Sequence, residues 1–290
     1  MAKAYAHQFG QIIGEVLERA IQPLLEDFSK THGLYLDSHG FRPARKTKKV
    51  TWKDRAGNLH DLDFVLERGG SSEKIGSPVA FIETAWRSYT KHSRNKAQEI
   101  QGAIIPLVET YRNSAPFIGV ILAGVFTTGA LGQLRSLGFS VLYFSHPTIL
   151  DAFKTVGIDA GFDEKTPEAQ LRRKLRAWKL LPARKQNSVS REILRSHSAD
   201  IKIFVDSLAK SVSRRIVMIR ILPLHGKQIE CPSLQEAIQF VLGYHEEQSA
   251  TDFVRFEIQI QYNNGDRIEA NFGVKDTAIQ FLNSFSGQAP

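Results

Sequence analysis

Between Pro78 and Ser145 the chain alternates near-continuous apolar runs with amphipathic stretches, and this alternation limits the possible folds more than any other feature. PVAFIETAW, APFIGVILAGVFT and SVLYFS have the composition of strands buried on both faces. SRNKAQEIQGAIIPLVETYRN and ALGQLRSLG, which separate them, suit helices. Strand, helix, strand order predicts parallel pairing through crossovers, so the sheet should be mixed and covered by helices.

Upstream, Phe9, Ile12, Ile13, Val16, Leu17, Ile21, Leu24 and Leu25 recur at three-to-four spacing within residues 8–30, which predicts an amphipathic opening helix ending near Gly33. DSHGFRPARKTKK, with its cations from Arg42 to Lys49, is expected to be a solvated loop. KVTWKD and HDLDFVLE flank Arg55-Ala56-Gly57-Asn58 and predict a hairpin. ERGGSSEKIGS follows as a Gly and Ser rich loop, expected to move when no ligand holds it. The predicted order is α-β-β-β-α-β-α-β, an α/β fold.

From about Phe162 the composition turns basic and helical, in EAQLRRKLRAWKLLPARKQ and SREILRSHSADIKIFVDSLAKSVSRR. Beyond Arg214 a strand, turn, strand and helix occur twice, and both copies carry the string AIQF, which predicts a small α+β domain of ββα-ββα order. Asn264-Gly265 is its clearest hairpin-turn signal. The expected division is a core at 1–158, a basic helical segment at 159–212 and the ββα-ββα domain at 213–290.

The formal net charge of +8 produces a field that attracts polyanions, nucleic acid or an anionic membrane surface. No apolar run is long enough to cross a bilayer, and MAKAYAHQFGQIIGEVLERA carries acids where a signal peptide needs an uninterrupted apolar segment, so a cytoplasmic protein is expected. Cys231 is the single cysteine, which excludes an intramolecular disulfide and thiolate-type structural zinc.

Two acids stand inside apolar runs. Asp63 precedes Phe64-Val65-Leu66, and Glu83 follows Val79-Ala80-Phe81-Ile82. A carboxylate in such a place is costly unless it is paired or binds a cation. Strand alternation puts Asp61, Asp63 and Val65 on one face and Phe81, Glu83 and Ala85 on another, so neighbouring strands can bring carboxylates together. Asp63 is preferred to Asp61, because an acid beside a hairpin turn more often faces solvent. Two such acids suit Mg²⁺, which accepts one or two carboxylates and completes its shell with water and substrate phosphate. His60 and His92 are expected to be simply exposed, and Trp86 and Trp178 to be core. Arg172, Arg173, Lys174, Arg176, Lys179, Arg184 and Lys185 form either a phosphate-gripping surface or a solvated helix face. Arg87 and Arg94 join this candidate DNA-binding set from the polar run after Glu83.

Over about residues 8–155 this arrangement resembles the PD-(D/E)XK nuclease superfamily, in which an acid on the second strand is followed by (D/E)-x-K on the third. The matching positions are Asp63 and Glu83-Thr84-Ala85, with Ala85 where the pattern has lysine. The resemblance implies a restriction-endonuclease-like sheet and Mg²⁺-dependent hydrolysis of DNA phosphodiester bonds, with Mn²⁺ as substitute ion. It implies Asp63 and Glu83 as metal ligands and a catalytic cation from the following helix, Lys96 or else Lys91, with Arg94 also in range. Glu18 or Glu15 would be an additional acid, and Gln98 or Gln101 would complete the polar pocket. The expected protein is a type II restriction endonuclease acting on double-stranded DNA as a homodimer. The competing expectations are a DNA-binding or scaffold protein without catalysis, which Ala85 favours, and a nuclease for branched or damaged DNA.

Overall fold

The computed structural model of the chain describes residues 2–89, 93–163, 165–224, 227–245, 253–263 and 265–286. They form two compact units, Met1–Ala209 and Lys210–Pro290.

The first unit opens with α1 (Ala2–Thr31), whose apolar stripe buries Phe9, Ile13, Leu17, Ile21 and Leu25. It ends before Gly33, which has a φ of +62°. Then come β1 (Leu34–Ser38), β2 (Val50–Lys53), β3 (Leu59–Leu62), β4 (Phe64–Arg68) and β5 (Ser77–Arg87). Helices and strands alternate from there: α2 (Ser93–Thr110), β6 (Phe117–Gly124), α3 (Thr128–Ser136), β7 (Ser140–Ser145) and α4 (His146–Lys154). Five strands make a mixed sheet in the order β1-β4-β5-β6-β7, antiparallel on the β1 side and parallel from β5 to β7. The parallel half follows from the two crossovers read in the sequence.

On one sheet face Val65, Phe81, Ala85, Val120 and Leu122 pack with Ala97, Ile100 and Ile104 of α2 and with Leu131 and Leu134 of α3. α1 packs along β1 and β5. At the end of β6, Gly124 has a φ of +96°, and a Cβ there would collide with the Arg87 carbonyl.

α5 (Glu168–Leu180) and α6 (Ala183–Ser196) pack on α1, and Trp178 lies 5.1 Å from the ring of Phe153. Both tryptophans expected in the core, Trp86 and Trp178, are buried. Pro182 separates α5 from α6 by starting a new helix, since it lacks the N–H that an unbroken helix would need. α7 (Ser198–Val212) crosses the division between the units, and its Phe204 meets Phe117 at 5.5 Å.

Three expectations are corrected. Asp37 and Ser38, expected to begin the solvated loop, instead complete strand β1, whose backbone pairs with β4. HDLDFVLE is not one strand: it bends at Asp63, so β3 pairs with β2 in a separate hairpin while β4 enters the main sheet. Alternation therefore does not carry across Asp63, and Asp61 is turned to solvent, accepting from Lys49 Nζ and Thr51 Oγ1 at 2.6 Å each. Finally, the segment 39–49 is not simply solvated, and it is bonded to the loop that follows β4. Arg42 is 3% exposed, and its guanidinium donates to both oxygens of Glu67 at 2.5 and 3.0 Å and to the carbonyls of Ser71 and Lys74, both at 2.7 Å. Arg45 donates to Asp37 Oδ1 at 2.9 Å and to the carbonyls of Ser38 and Gly40. Buried ions are retained only when nearly every donor and acceptor is matched, and here two arginines and two acids bind both loops to the sheet.

The second unit contains β8 (Ile216–Pro223), β9 (Ile229–Cys231), α8 (Leu234–Gly243), β10 (Phe256–Tyr262), β11 (Arg267–Phe272) and α9 (Lys275–Asn283). Its antiparallel sheet has the order β11-β10-β8-β9. Ile219, Ile221, Ile258 and Ile260 pack there with Ala237, Val241, Ala278 and Leu282 of the two helices. Gly265 turns at a φ of +92°, and Asn264 lies outside the described residues.

Candidate active site

The bend at Asp63 positions the site. Phe64 pairs with Ile82 where β4 meets β5, and the bend residue just before it, Asp63, lies beside Glu83 and Thr84 of β5. The two acids are locked to each other. Asp63 N donates to Glu83 Oε1 at 3.2 Å, while Thr84 donates to Asp63 Oδ2 from both N and Oγ1, each at 2.7 Å. Asp63 Oδ1 and Glu83 Oε2 accept no hydrogen bond from the described residues. Each acid thus keeps one oxygen uncommitted.

Glu83 is 8% exposed, and its carboxyl is pushed up to about 8, first by burial and then by the charge of Asp63, with Lys96 acting in the opposite direction. Glu18 on α1 is raised to about 7 by burial, then by Asp63 and Glu15. Four side chains from α1, the bend, β5 and α2 therefore share one electrostatic environment, in which three acids outweigh one lysine. A cation entering such a group is favoured, because it offsets the burial penalty and the repulsion that together raise Glu83 and Glu18. The oxygen donors match a hard divalent ion. Among the described residues no three His, Cys, Asp or Glu side chains are grouped to hold a metal ion, so an ion here would have Asp63 and Glu83 alone as acidic ligands.

A cleft of about 1070 Å³ opens next to this group, lined by Gly10, Gly14 and Glu18 of α1, by Thr84, Ala85 and Arg87 of β5 and by Lys96; Asp63 and Glu83 lie behind Thr84 and do not themselves line it. Lys96 Nζ lies 3.4 Å from Glu99 Oε2, and Arg87 Nη2 lies 3.8 Å from the same oxygen. Ala85, in the position where the resemblance has lysine, is 6% exposed and packs in the α2-facing core.

Asp63, Glu83, Lys96 and Glu18 come together, and Arg87 lines the adjoining cleft with Lys96. Lys91 and His92 lie outside the described residues. His60 is not simply exposed: its Nε2 lies 3.0 Å from Asp54 Oδ2, part of the hairpin turn. Gln98 is exposed, and Gln101 accepts from Gln133 of α3 at 3.1 Å instead of joining the acids. Arg94, Arg172, Arg173, Arg176, Lys179, Arg184 and Lys185 are exposed, Arg87 half-buried. Lys174 departs from the predicted surface: it is 7% exposed, and its Nζ donates to Asp159 Oδ2 at 2.9 Å and to the Gly161 carbonyl, so its charge closes a loop inside the protein.

Sequence reading passed over Thr84, whose only signal was a hydroxyl beside the candidate acid. It also passed over the four-charge group of Asp37, Arg42, Arg45 and Glu67, although Glu67 ends an apolar run much as Asp63 begins it.

No family model matches the chain, and no curated protein matches it. A solved structure described as a protein of unknown function, AF1548, aligns with 64% of this chain and 98% of its own length at 9% identity and a TM-score of 0.28. No helix among the described residues is long and apolar enough to cross a membrane.

Proposed function

We propose that this chain is a divalent-cation-dependent DNA endonuclease on a restriction-endonuclease-like fold, with Mg²⁺ as the working ion and Mn²⁺ as a substitute. The reading rests on one observation above all: Asp63, at the bend before β4, and Glu83, on β5, are joined by the Asp63 N to Glu83 Oε1 hydrogen bond, each with an uncommitted oxygen, in a group where acids outnumber cations. When bound, the ion supplies Lewis acidity at a phosphodiester and makes water a stronger acid. Asp63 and Glu83 hold the ion, and Thr84 fixes the Asp63 carboxylate. Lys96 offsets negative charge that grows on the phosphate in the transition state. Glu18, with its carboxyl raised to about 7, takes up a proton near neutral pH.

Arg87 and Arg94, near the cleft, and Arg172, Arg173, Arg176, Lys179, Arg184 and Lys185 on α5 and α6 provide phosphate contacts without base readout. The protein in this reading is a type II restriction endonuclease working in the cytoplasm on double-stranded DNA, as a homodimer because two strands need two sites.

The test is cleavage of supercoiled plasmid in Mg²⁺. Cutting is expected, with EDTA, Asp63→Ala or Glu83→Ala abolishing it and Lys96→Met slowing it by about 100-fold. Undiminished cutting in the two acid variants removes the proposed site. A second reading, a DNA-binding protein without catalysis, is favoured by buried Ala85 in place of the motif lysine. It predicts DNA binding by the wild-type chain and no cutting in either Mg²⁺ or Mn²⁺.

A further inference from the structure

The segment 39–49 is bound into the molecule at both ends beside Asp63. Ser38, just before it, pairs with Phe64, and Val50, just after it, pairs with Leu62, the two neighbours of Asp63 in the chain. Within it Gly40 N donates to the Lys48 carbonyl and Arg42 pairs with Thr47, so the segment is a small hairpin of its own. Arg42 and Arg45 point inward, and Ala44 N donates to the Ser72 carbonyl. The hairpin has almost no apolar core, and charge-assisted bonds set its shape.

This construction leaves an unusual outer surface. Phe41 is 69% exposed although its neighbour Arg42 is buried. Lys46 and Lys48 are exposed and have no acid partner among the described residues, and Lys46 has a φ of +57°, a left-handed conformation that a lysine rarely adopts. Strain of that kind persists only where surrounding structure enforces it. A loop held in this way, presenting one aromatic ring and two cations, suits a partner with regularly spaced phosphates and apolar thymine methyl groups along its groove. Both ends of the loop pair with the chain neighbours of Asp63, so the loop and the candidate site rise from the same strands.

Building on the nucleic-acid reading above, we propose that the 39–49 hairpin is a preformed grip for double-stranded DNA, with Lys46 and Lys48 on phosphates and Phe41 against the groove. Preorganisation is the physical gain: a loop already held by Arg42 and Arg45 loses little freedom on binding. Phosphate contacts position the duplex without reading sequence, so the loop would hold any duplex, and base discrimination would come from other residues.

The experiment is fluorescence anisotropy of the full chain with a labelled 30-base-pair duplex in EDTA across a salt series. Lys46→Glu with Lys48→Glu is expected to weaken binding at least tenfold and to flatten the salt dependence by about two released counterions. Phe41→Ala is expected to weaken binding about fivefold with an unchanged salt slope, the pattern of a lost apolar contact. Neither variant should alter the heat of Mn²⁺ binding, which reports the carboxylates alone. Wild-type affinity and slope in both variants, with the wild type binding duplex, would overturn the grip and leave the nuclease reading intact. A wild-type chain that binds no duplex overturns both, and tight binding of a partner protein instead, lost in Phe41→Ala, overturns the DNA assignment of the loop.

Discussion

Thr84 donates two hydrogen bonds, each 2.7 Å long, to the same oxygen of Asp63. One comes from its backbone and one from its hydroxyl, so the carboxylate is fixed in rotation while its second oxygen remains uncommitted among the described residues. Residues that orient a metal ligand are worth about 10 to 100-fold in affinity. Thr84→Val keeps the backbone bond and removes the other, so Mn²⁺ affinity measured by calorimetry should fall by about tenfold, with Thr84→Ser close to wild type. Equal affinity in all three proteins would mean that the hydroxyl serves packing alone.

Ion binding should be strongly pH-dependent. Glu83 is raised to about 8 and Glu18 to about 7, so protons and the ion compete for the same group around neutrality. Affinity for Mn²⁺ is expected to climb between pH 6 and 8.5, by up to about tenfold per pH unit for each proton displaced. Calorimetry at pH 7.5 in buffers of different ionisation enthalpy should detect release of protons. A heat independent of buffer contradicts the proposed coupling.

Glu83 should cost stability where it helps function. Its folded-state pKa is about 8 against an ordinary 4.5, so the folded protein holds the proton more tightly than the unfolded chain does. The contribution is complete below about 4.5 and is lost as the pH rises through about 8. In EDTA, Glu83→Gln should match wild type at pH 4.5 and be more stable at pH 8.5, by on the order of a few kcal/mol. Urea unfolding at the two pH values checks this, and a variant less stable at pH 8.5 refutes it.

Arg42 and Glu67 form a pair in which both side chains are almost fully buried, 3% and 0% exposed. Arg42→Ala strands Glu67, and removing one partner of a buried ion pair costs about 3–5 kcal/mol. Urea unfolding should register that loss. Hydrogen exchange should rise in 39–49 and 69–76 together, since one guanidinium serves both. Exchange rising in one segment alone would show that the two are held separately.

The parallel half of the sheet was legible because β5, β6 and β7 are apolar runs whose burial on both faces leaves a local signature. The opening helix and the ββα-ββα order were legible for the same reason, since helix and strand periods are properties of neighbours in the chain. β1 escaped notice because Leu34–Ser38 is short, its strand character arising from pairing with residues about 30 positions away. The break in HDLDFVLE escaped too: only the departure of β4 into the main sheet separates it from β3. α4 carries a helical pattern, but its Ser145 cap sits at the end of a strand and gave no separate start signal.

Sequence by itself singled out Asp63 and Glu83, because each stands against an apolar run where a carboxylate is costly to bury unpaired. It also determined most element types, because side-chain periodicity is encoded over a few consecutive residues. Only the tertiary structure decided that these two acids are joined, that Thr84 holds one of them, that Lys174 turns inward, and that Arg42 and Arg45 organise a surface hairpin. Those outcomes depend on strand register, burial and ion pairing between residues distant in the chain, and such interactions leave no periodic trace to read.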